Sequence, residues 1–354
     1  MRVLFIGGTG LISSACSPLV VERGRQLTLV NRGTSTVADA PAGATVIHAD
    51  ARDAVALRAA LAGQHFDAVV QWIGFTPDHV AADVTTFRGV TDQYVYISSA
   101  SAYQKPPSHY LVREGVTPLD NPYWRYSQDK IACEQVLREA AADGFPITIV
   151  RPSLTYGYSQ IPVSVGSWNR PWTIVDRMRR GASIIVPGDG TSLEVLTNHR
   201  DFAVGLVGLL GNPAAFGEDF HITSDEVLTW NQIYAAVGAA AGMDAEALAG
   251  QVLHVPTDAL VAADPDEFEG TLWGDKSHSL VYDNAKVRAA VPDFAPSIPF
   301  SEGIRKTIAW FEADPARQQI DDAANALWDR VAAVYLDSLR RVRPGAPGGL
   351  GVVG

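Results

Sequence analysis

A tyrosine and a lysine four residues apart, in Tyr126-Ser127-Gln128-Asp129-Lys130, are the side chains of this chain best suited to moving a proton. On a helix, positions i and i+4 share one face, so the two point the same way. A phenol with a pKa near ~10 is a poor base at neutral pH. A neighbouring ammonium favours the phenolate and draws that pKa down toward the working range. Such a pair takes a proton from an alcohol, or returns one to a carbonyl, beside a hydride carrier. The spacing occurs by chance on many helices, so its meaning depends on a dinucleotide site and a hydroxyl donor elsewhere in the chain.

Candidates for both are present. The run Gln93–Ile97 leads into Ser98-Ser99-Ala100-Ser101-Ala102-Tyr103. A serine at the C-terminal end of a strand in a doubly wound sheet faces the ligand crevice, where its hydroxyl can hold the oxygen that Tyr126 protonates. At the N-terminus, Arg2–Ile6 is a short apolar run ending in Gly7-Gly8-Thr9-Gly10-Leu11-Ile12-Ser13. A strand, a glycine turn and a helix form the phosphate-binding start of a Rossmann unit, with free N–H groups at the helix N-terminus. Ser13 stands where the third spaced glycine is expected, and is small enough for close packing. After the next apolar run, Leu27–Val30, come Asn31-Arg32-Gly33. The carboxylate that would hold the ribose 2′-hydroxyl of NAD is missing. Arg32, helped by Thr34 or Ser35, can pair instead with the 2′-phosphate of NADP, which is therefore favoured over NAD. Thr45–His48 leads to Asp50, which can meet the adenine amino group or cap a helix starting near Asp53.

The elements that must position these residues follow from periodicity. Strands are expected at Asp67–Gln71 and Ile147–Val150 besides those above, and helices at Ala54–Leu61, Val80–Arg88 and Trp124–Ala142. Alternating strands and helices predict an α/β fold, a Rossmann-type doubly wound parallel sheet over residues 1–157. Residues 158–343 are expected to form mainly a smaller C-terminal substrate-binding domain, with some segments returning to the Rossmann part. Within them a strand at Ile184–Pro187 and helices at Asp201–Leu210, Thr229–Ala241 and Asp321–Arg341 are predicted. The last carries Leu327, Val331, Val334 and Leu339 near one face. The Pro/Gly-rich stretch 344–354 reads as a flexible tail.

Composition narrows the function. The formal net charge of −11 argues against nucleic acid as the main partner, and no apolar run is long enough to span a bilayer. Met1–Cys16 superficially resembles a lipoprotein signal, but Gly7, Gly8, Thr9 and Gly10 interrupt its apolar stretch, so a cytoplasmic protein is expected. Two cysteines, Cys16 and Cys133, make no disulfide framework, and eight scattered histidines predict no metal site.

Taken together, G-G-T-G-L-I, I-S-S-A-S-A-Y, Y-S-Q-D-K, R-P-S-L-T-Y-G and the late V-Y-D-N-A-K resemble the extended short-chain dehydrogenase/reductase family, the NAD(P)-dependent epimerases and dehydratases. The resemblance runs from residue 1 to about 310. W-I-G-F-T-P and N-R-G are similar to an atypical branch that contains the chloroplast stem-loop binding proteins. The resemblance implies Ser99 as the catalytic hydroxyl, Tyr126 as the acid/base, and Lys130 as the lysine that lowers its pKa and holds the nicotinamide ribose. It places Gly7, Gly10 and Ser13 at the phosphate turn with Thr9, Leu11 and Ile12, Asn31 and Arg32 after the second strand, Asp50 at the adenine, and Pro152 and Leu154 among the cofactor contacts. It also implies a homodimer through the Tyr/Lys helix and the one before it.

Departures from the family narrow the reaction. The Asp-Glu pair that performs 4,6-dehydration is replaced by Ala100-Ser101, and the cysteine of 3,5-epimerization by Ser101. What remains is oxidation of a secondary alcohol or reduction of a ketone, on a small carbohydrate-like substrate. The substrate is expected not to be a nucleotide sugar. Leu154 stands where an asparagine commonly holds such substrates, and His278 and Ser279 where an arginine meets the pyrophosphate, unless Lys276 or Arg200 substitutes. Trp124, Trp168 and Trp172 can offer apolar faces to a sugar ring. The alternatives are a nucleotide-sugar 4-epimerase, or a non-catalytic RNA-binding or redox-sensing protein.

Overall fold

A computed structural model describes residues 1–34 and 37–342. Ser35, and the stretch 344–354 read as a tail, lie outside the described residues.

The first strand shows how the layers arise. In β1 (Arg2–Ile6), Val3 and Phe5 join a core on one face of the sheet, while Leu4 and Ile6 join a core on the other. Period-two alternation with apolar residues on both faces is what a strand covered by helices on both sides requires. The same holds for β4 (Ala68–Gln71), β5 (Tyr94–Ile97) and β6 (Ile147–Pro152), all buried throughout. With β2 (Gln26–Asn31), β3 (Thr45–His48) and β7 (Asp219–Ile222) they form one seven-stranded sheet in the order β7-β6-β5-β4-β1-β2-β3. Every pair is parallel. Helices α1 (Ser13–Glu22) and α6 (His199–Leu209) cover one face. Helices α2 (Ala54–Ala60), α3 (Pro77–Phe87) and α4 (Arg125–Ala142) cover the other. Cys16 is buried in α1, so the N-terminal stretch belongs to the folded core. The strand order reverses between β4 and β1, and a crevice opens at their C-terminal ends, where ligands of such sheets bind.

The second half is built of short pieces around its own cores. Leu154–Tyr156 pairs with Leu196–Asn198, and Ile184–Pro187 with Val252–Val255. Two of its segments return to the first half: β7 joins the main sheet beside β6, and α6 packs on α1. The last described helix, Asp322–Val342, seats Trp328, Val331 and Ala332 rather than the expected full stripe. Val334 and Leu339 are exposed, because the helix runs on past the core that holds its first three turns. Among the described residues, no helix is long and apolar enough to cross a membrane, and no group of His, Cys, Asp or Glu is placed to hold a metal ion.

Candidate functional site

A cleft of about 1300 Å³ runs along the C-terminal ends of β1 to β6 and into the second half. That exceeds the ~300–1,000 Å³ of an ordinary small-molecule pocket, leaving room for a dinucleotide and a second ligand.

The dinucleotide side begins at the glycine turn. Gly7 and Gly8 have φ of +101° and +105°, a region open to glycine. A Cβ on Gly8 would lie 2.6 Å from Leu29 Cδ2, and one on Gly7 3.2 Å from Trp72 Cβ, so the turn packs directly between β2 and the end of β4. A Cβ on Gly10 would meet only Ser13 Oγ, at 3.6 Å, leaving the cradle free for a ligand's close approach. Ser13 does more than stay small. Its hydroxyl accepts from Gly10 N at 2.9 Å, which uses one donor of the turn. The N–H groups of Leu11 and Ile12, at the entrance of α1, donate to no described residue, as an anion site at a helix N-terminus requires. Trp72 Nε1 is likewise buried without a partner beside the cleft. These features fit a dinucleotide pyrophosphate.

Arg32 is exposed at the end of β2 and pairs with no described carboxylate, while the Asn31 side chain accepts from Gly33 N at 2.9 Å to shape the turn. Asp50 accepts from Arg52 N at 3.0 Å, and Asp53, not Asp50, caps α2. Arg52 lines the same end of the cleft, a cation that sequence reasoning missed. Pro152 and Leu154 line its floor.

The candidate catalytic residues sit at the middle. Tyr126 opens α4 and reaches the cleft beside Ser99, which follows β5 and whose hydroxyl stabilises the phenolate. Here the structure corrects the sequence. The Tyr126 phenol is not drawn down but pushed up to about 12, first by burial and also by Asp275, with the Ser99 hydrogen bond opposing. Lys130 does not direct its ammonium at the phenol. Its Nζ donates to Ile97 O at 2.8 Å and Gly74 O at 2.9 Å, and stands 5.7 Å from the Tyr126 ring centre. Two carbonyls compete for it: that of Ile97, which ends β5, and that of Gly74 in the loop after β4, which also accepts from Tyr96 Oη at 3.0 Å. Burial lowers the Lys130 pKa to about 8.

The hydroxyls form a directed chain. Ser127 Oγ donates to Ser101 Oγ at 2.7 Å, and Ser101 and Ser99 hydroxyls lie 2.8 Å apart. Ser99 also accepts from Ser101 N at 3.2 Å. With Ser101 already accepting from Ser127, its proton goes to Ser99, whose two acceptor sites are then filled. The Ser99 proton is left for the phenol or a substrate oxygen. Ser101→Ala should lower turnover roughly fivefold, the worth of a hydrogen bond of about 1 kcal/mol, with a smaller change in KM. Unchanged steady-state kinetics in both Ser101→Ala and Ser127→Ala would dismiss the chain.

Of the expected substrate residues, Ser101, Trp124 and Trp168 line the cleft, Trp168 at its rim with 61% exposure. Three others do not. Trp172 is core, its ring 5.6 Å from that of Phe311, because it heads helix α5 (Thr173–Arg180). Arg200 lies over Tyr158, 5.6 Å from its ring centre, beside a separate small pocket. His278 donates from Nε2 to Trp273 O at 2.8 Å and turns away. Trp124, 5.1 Å from the Tyr126 ring, packs on Gly270 and Gly274, where a Cβ would lie 2.4 and 2.8 Å from it. Those glycines lay the segment Glu269–Lys276 against the start of α4 and bring Asp275 and Lys276 to the cleft.

Comparison with known proteins agrees with this geometry. The model of the NAD dependent epimerase/dehydratase family matches residues 3–223. The chloroplast stem-loop binding protein of 41 kDa b from Arabidopsis thaliana is 26% identical over 282 residues, 76% of this chain and 67% of that one. The 2'-dehydrokanamycin reductase of Streptomyces kanamyceticus is 25% identical over 243 residues, 68% of this chain and 67% of that one. The UDP-glucose 4-epimerase of Bifidobacterium longum, solved with NAD+ and UDP, superposes with a TM-score of 0.69 at 17% identity, covering 90% of this chain and all (100%) of that one. At that identity the likeness is one of fold.

Proposed function

The chain belongs to the NAD dependent epimerase/dehydratase family, and from that premise we propose that it is an NADP(H)-preferring oxidoreductase that reduces a ketone of a carbohydrate-like substrate other than a nucleotide sugar. The observation that carries this reading is the convergence on one cleft of the glycine turn, Ser99, Tyr126 and Lys130. A nicotinamide dinucleotide bound there supplies the hydride that the carbonyl carbon receives. Tyr126 gives its proton to the carbonyl oxygen, and Ser99 donates a hydrogen bond that holds that oxygen in place. Lys130, fixed beneath the phenol by two carbonyls, faces the position of the nicotinamide ribose.

Burial sets the resting state of the acid, and that state suits reduction. A phenol pushed up to about 12 is protonated throughout the neutral range and is ready to donate. The relative from Streptomyces kanamyceticus is also named as a reductase. The RNA-binding alternative has less support, since the net charge is −11. NADPH oxidation followed against a panel of keto sugars and keto cyclitols, with an RNA gel shift in parallel, tests the reading. RNA retention without NADPH oxidation would replace it.

Cofactor preference is a separate expectation. A guanidinium–phosphate pair is worth ~1.5–3 kcal/mol, so Arg32→Ala should weaken NADP(H) about 10- to 100-fold and leave NAD(H) nearly unchanged. Fluorescence titration of both cofactors measures it. Equal affinities in the wild type would mean that Arg32 does not read the 2′-phosphate.

A further inference from the structure

We propose that the substrate of this site carries positive charge: a ketone of an amino-substituted sugar or cyclitol, held through its ammonium groups by carboxylates of the cleft. This rests on the oxidoreductase reading above and names its substrate class.

The cleft has two electrostatic ends. Beside the glycine turn, Arg32, Arg52 and Lys130 face it against Asp50, the balance a dinucleotide's phosphates require. Beyond Tyr126 the sign reverses. Glu194, Asp264, Asp266, Glu267, Asp275 and Asp321 line the wall against Lys276 and Arg330. Lys276 is partly spent, since its Nζ donates to Val163 O at 3.1 Å. Burial and the nearby Asp275 raise the pKa of Glu194; counted as neutral, it still leaves five carboxylates on that wall.

Helix capping accounts for part of this set. Asp264 accepts from Glu267 N at 3.1 Å, and Asp321 accepts from Ala324 N at 3.1 Å and from Ser167 Oγ at 2.7 Å. Capping does not explain why two capping residues, more than fifty positions apart in sequence, converge with Glu267 on one space. Burial raises the pKa of Glu267, and Asp264 and Asp321 raise it further. Like charges gathered at a cavity wall are destabilising until a cation comes between them. Glu194 points to the same ligand by its open oxygen: burial and Asp275 raise its pKa against the opposing Lys276 and Lys105, and an ammonium beside it would favour its charged form. Its side chain is 6% exposed and lines the cleft; Oε1 accepts from its neighbour Val195 N at 3.0 Å, and its other carboxyl oxygen accepts no hydrogen bond among the described residues. At the reacting end, Asp275 is close enough to raise the Tyr126 phenol, and its nearest ammonium, Lys105 Nζ, is 3.8 Å away.

Among the described residues these carboxylates form no group placed to hold a metal ion. Their spread suits several ammonium groups on one or two rings. It repels a pyrophosphate, and Arg330 at the rim is the lone arginine on that wall.

Calorimetry on the full chain loaded with NADP+ tests this with a charge-only pair. The β-1,4 disaccharide of glucosamine carries two ammonium groups where cellobiose carries hydroxyls. The amine should bind at least about tenfold tighter at low salt, with the gap narrowing at high salt as screening sets in. Glu267→Gln and Asp321→Asn should each reduce the gap several-fold. Should either variant fail to fold, the wild-type pair still decides. Equal or tighter binding of cellobiose, no binding of the amine, or tighter binding of UDP would each overturn the proposal. NADP+ uptake is titrated first. Its failure overturns the oxidoreductase reading, whereas uptake without preference for the amine overturns this proposal alone.

Discussion

Tyr126→Phe should cut turnover by roughly 10²–10⁴-fold, the usual worth of a general acid, while NADP(H) still binds. The substitution removes one oxygen and keeps the ring that packs 5.1 Å from Trp124, so the cleft wall survives. Among the described residues the only other phenol, thiol or imidazole lining the cleft is Tyr282, whose pKa burial raises first and Glu194 and Asp275 raise further. The pH dependence carries a sign. In the wild type the Tyr126 phenol stays protonated to about 12, so its own titration does not limit reduction at neutral pH. The Lys130 ammonium, lowered to about 8, is charged below that pH and loses its charge above it. Ketone reduction should therefore be level through neutrality and fall as pH rises through about 8. Steady-state kinetics between pH 6 and 10 (approximate bounds around the lysine) measure both effects. Near-normal turnover in Tyr126→Phe would assign the proton to another group.

Arg151→Met should destabilise the fold by about 3–5 kcal/mol, because it leaves a buried carboxylate without its cation. Arg151 is 2% exposed. Its guanidinium takes Glu134 in a two-pronged grip, Nε to Oε1 at 2.8 Å and Nη2 to Oε2 at 2.6 Å, and reaches Asp219 with Nη1. Ser98 Oγ donates to the same Glu134 at 2.6 Å. One guanidinium thus ties β6 to α4 and β7, and Glu134 ties α4 to the residue next to Ser99. After substitution Glu134, 1% exposed, keeps Ser98 and the distant Arg138, 3.9 Å away. Adding Glu134→Gln to Arg151→Met should restore part of the loss, since the orphaned charge goes with it. Urea midpoints of the two variants and the wild type decide it. A loss below about 1 kcal/mol in Arg151→Met would mean that water or a side-chain shift compensates.

The sheet was legible because its strands carry their own signal. Val3, Leu4, Phe5 and Ile6 read as a strand covered on both sides, and the glycine turn after them fixed where the crevice opens. Ser99, Tyr126, Lys130 and the residues expected to meet a cofactor line that crevice, since each sits at a strand end or on the helix after one. Trp72, Ile73 and Phe75 obey the same rule after β4 and were within reach of it. The phenol's pKa was not. Spacing places Lys130 on the face of Tyr126, but the carbonyls of Gly74 and Ile97 decide where the ammonium points, and those belong to two other segments. The acidic wall was hidden for a similar reason. Asp264, Glu267, Asp275 and Asp321 are ordinary surface letters in sequence, and only tertiary packing, including the two glycines under Trp124, gathers them. Trp172 misled because a tryptophan's pattern is the same whether it faces a sugar or a core.

The sheet's strand order has a consequence for the chain as it is being made. β6 ends at Pro152, and the strand that covers its edge, β7, begins at Asp219. About 70 residues, most of the pieces that wall the substrate, are translated in between. At ~5–20 residues per second, the β6 edge waits roughly 3–14 s for its partner. Through that interval an apolar strand buried along its whole length in the finished protein offers open hydrogen-bonding groups to any neighbour. A chaperone that covers the β6 edge would act in those seconds, and faster translation of that stretch would shorten the exposure.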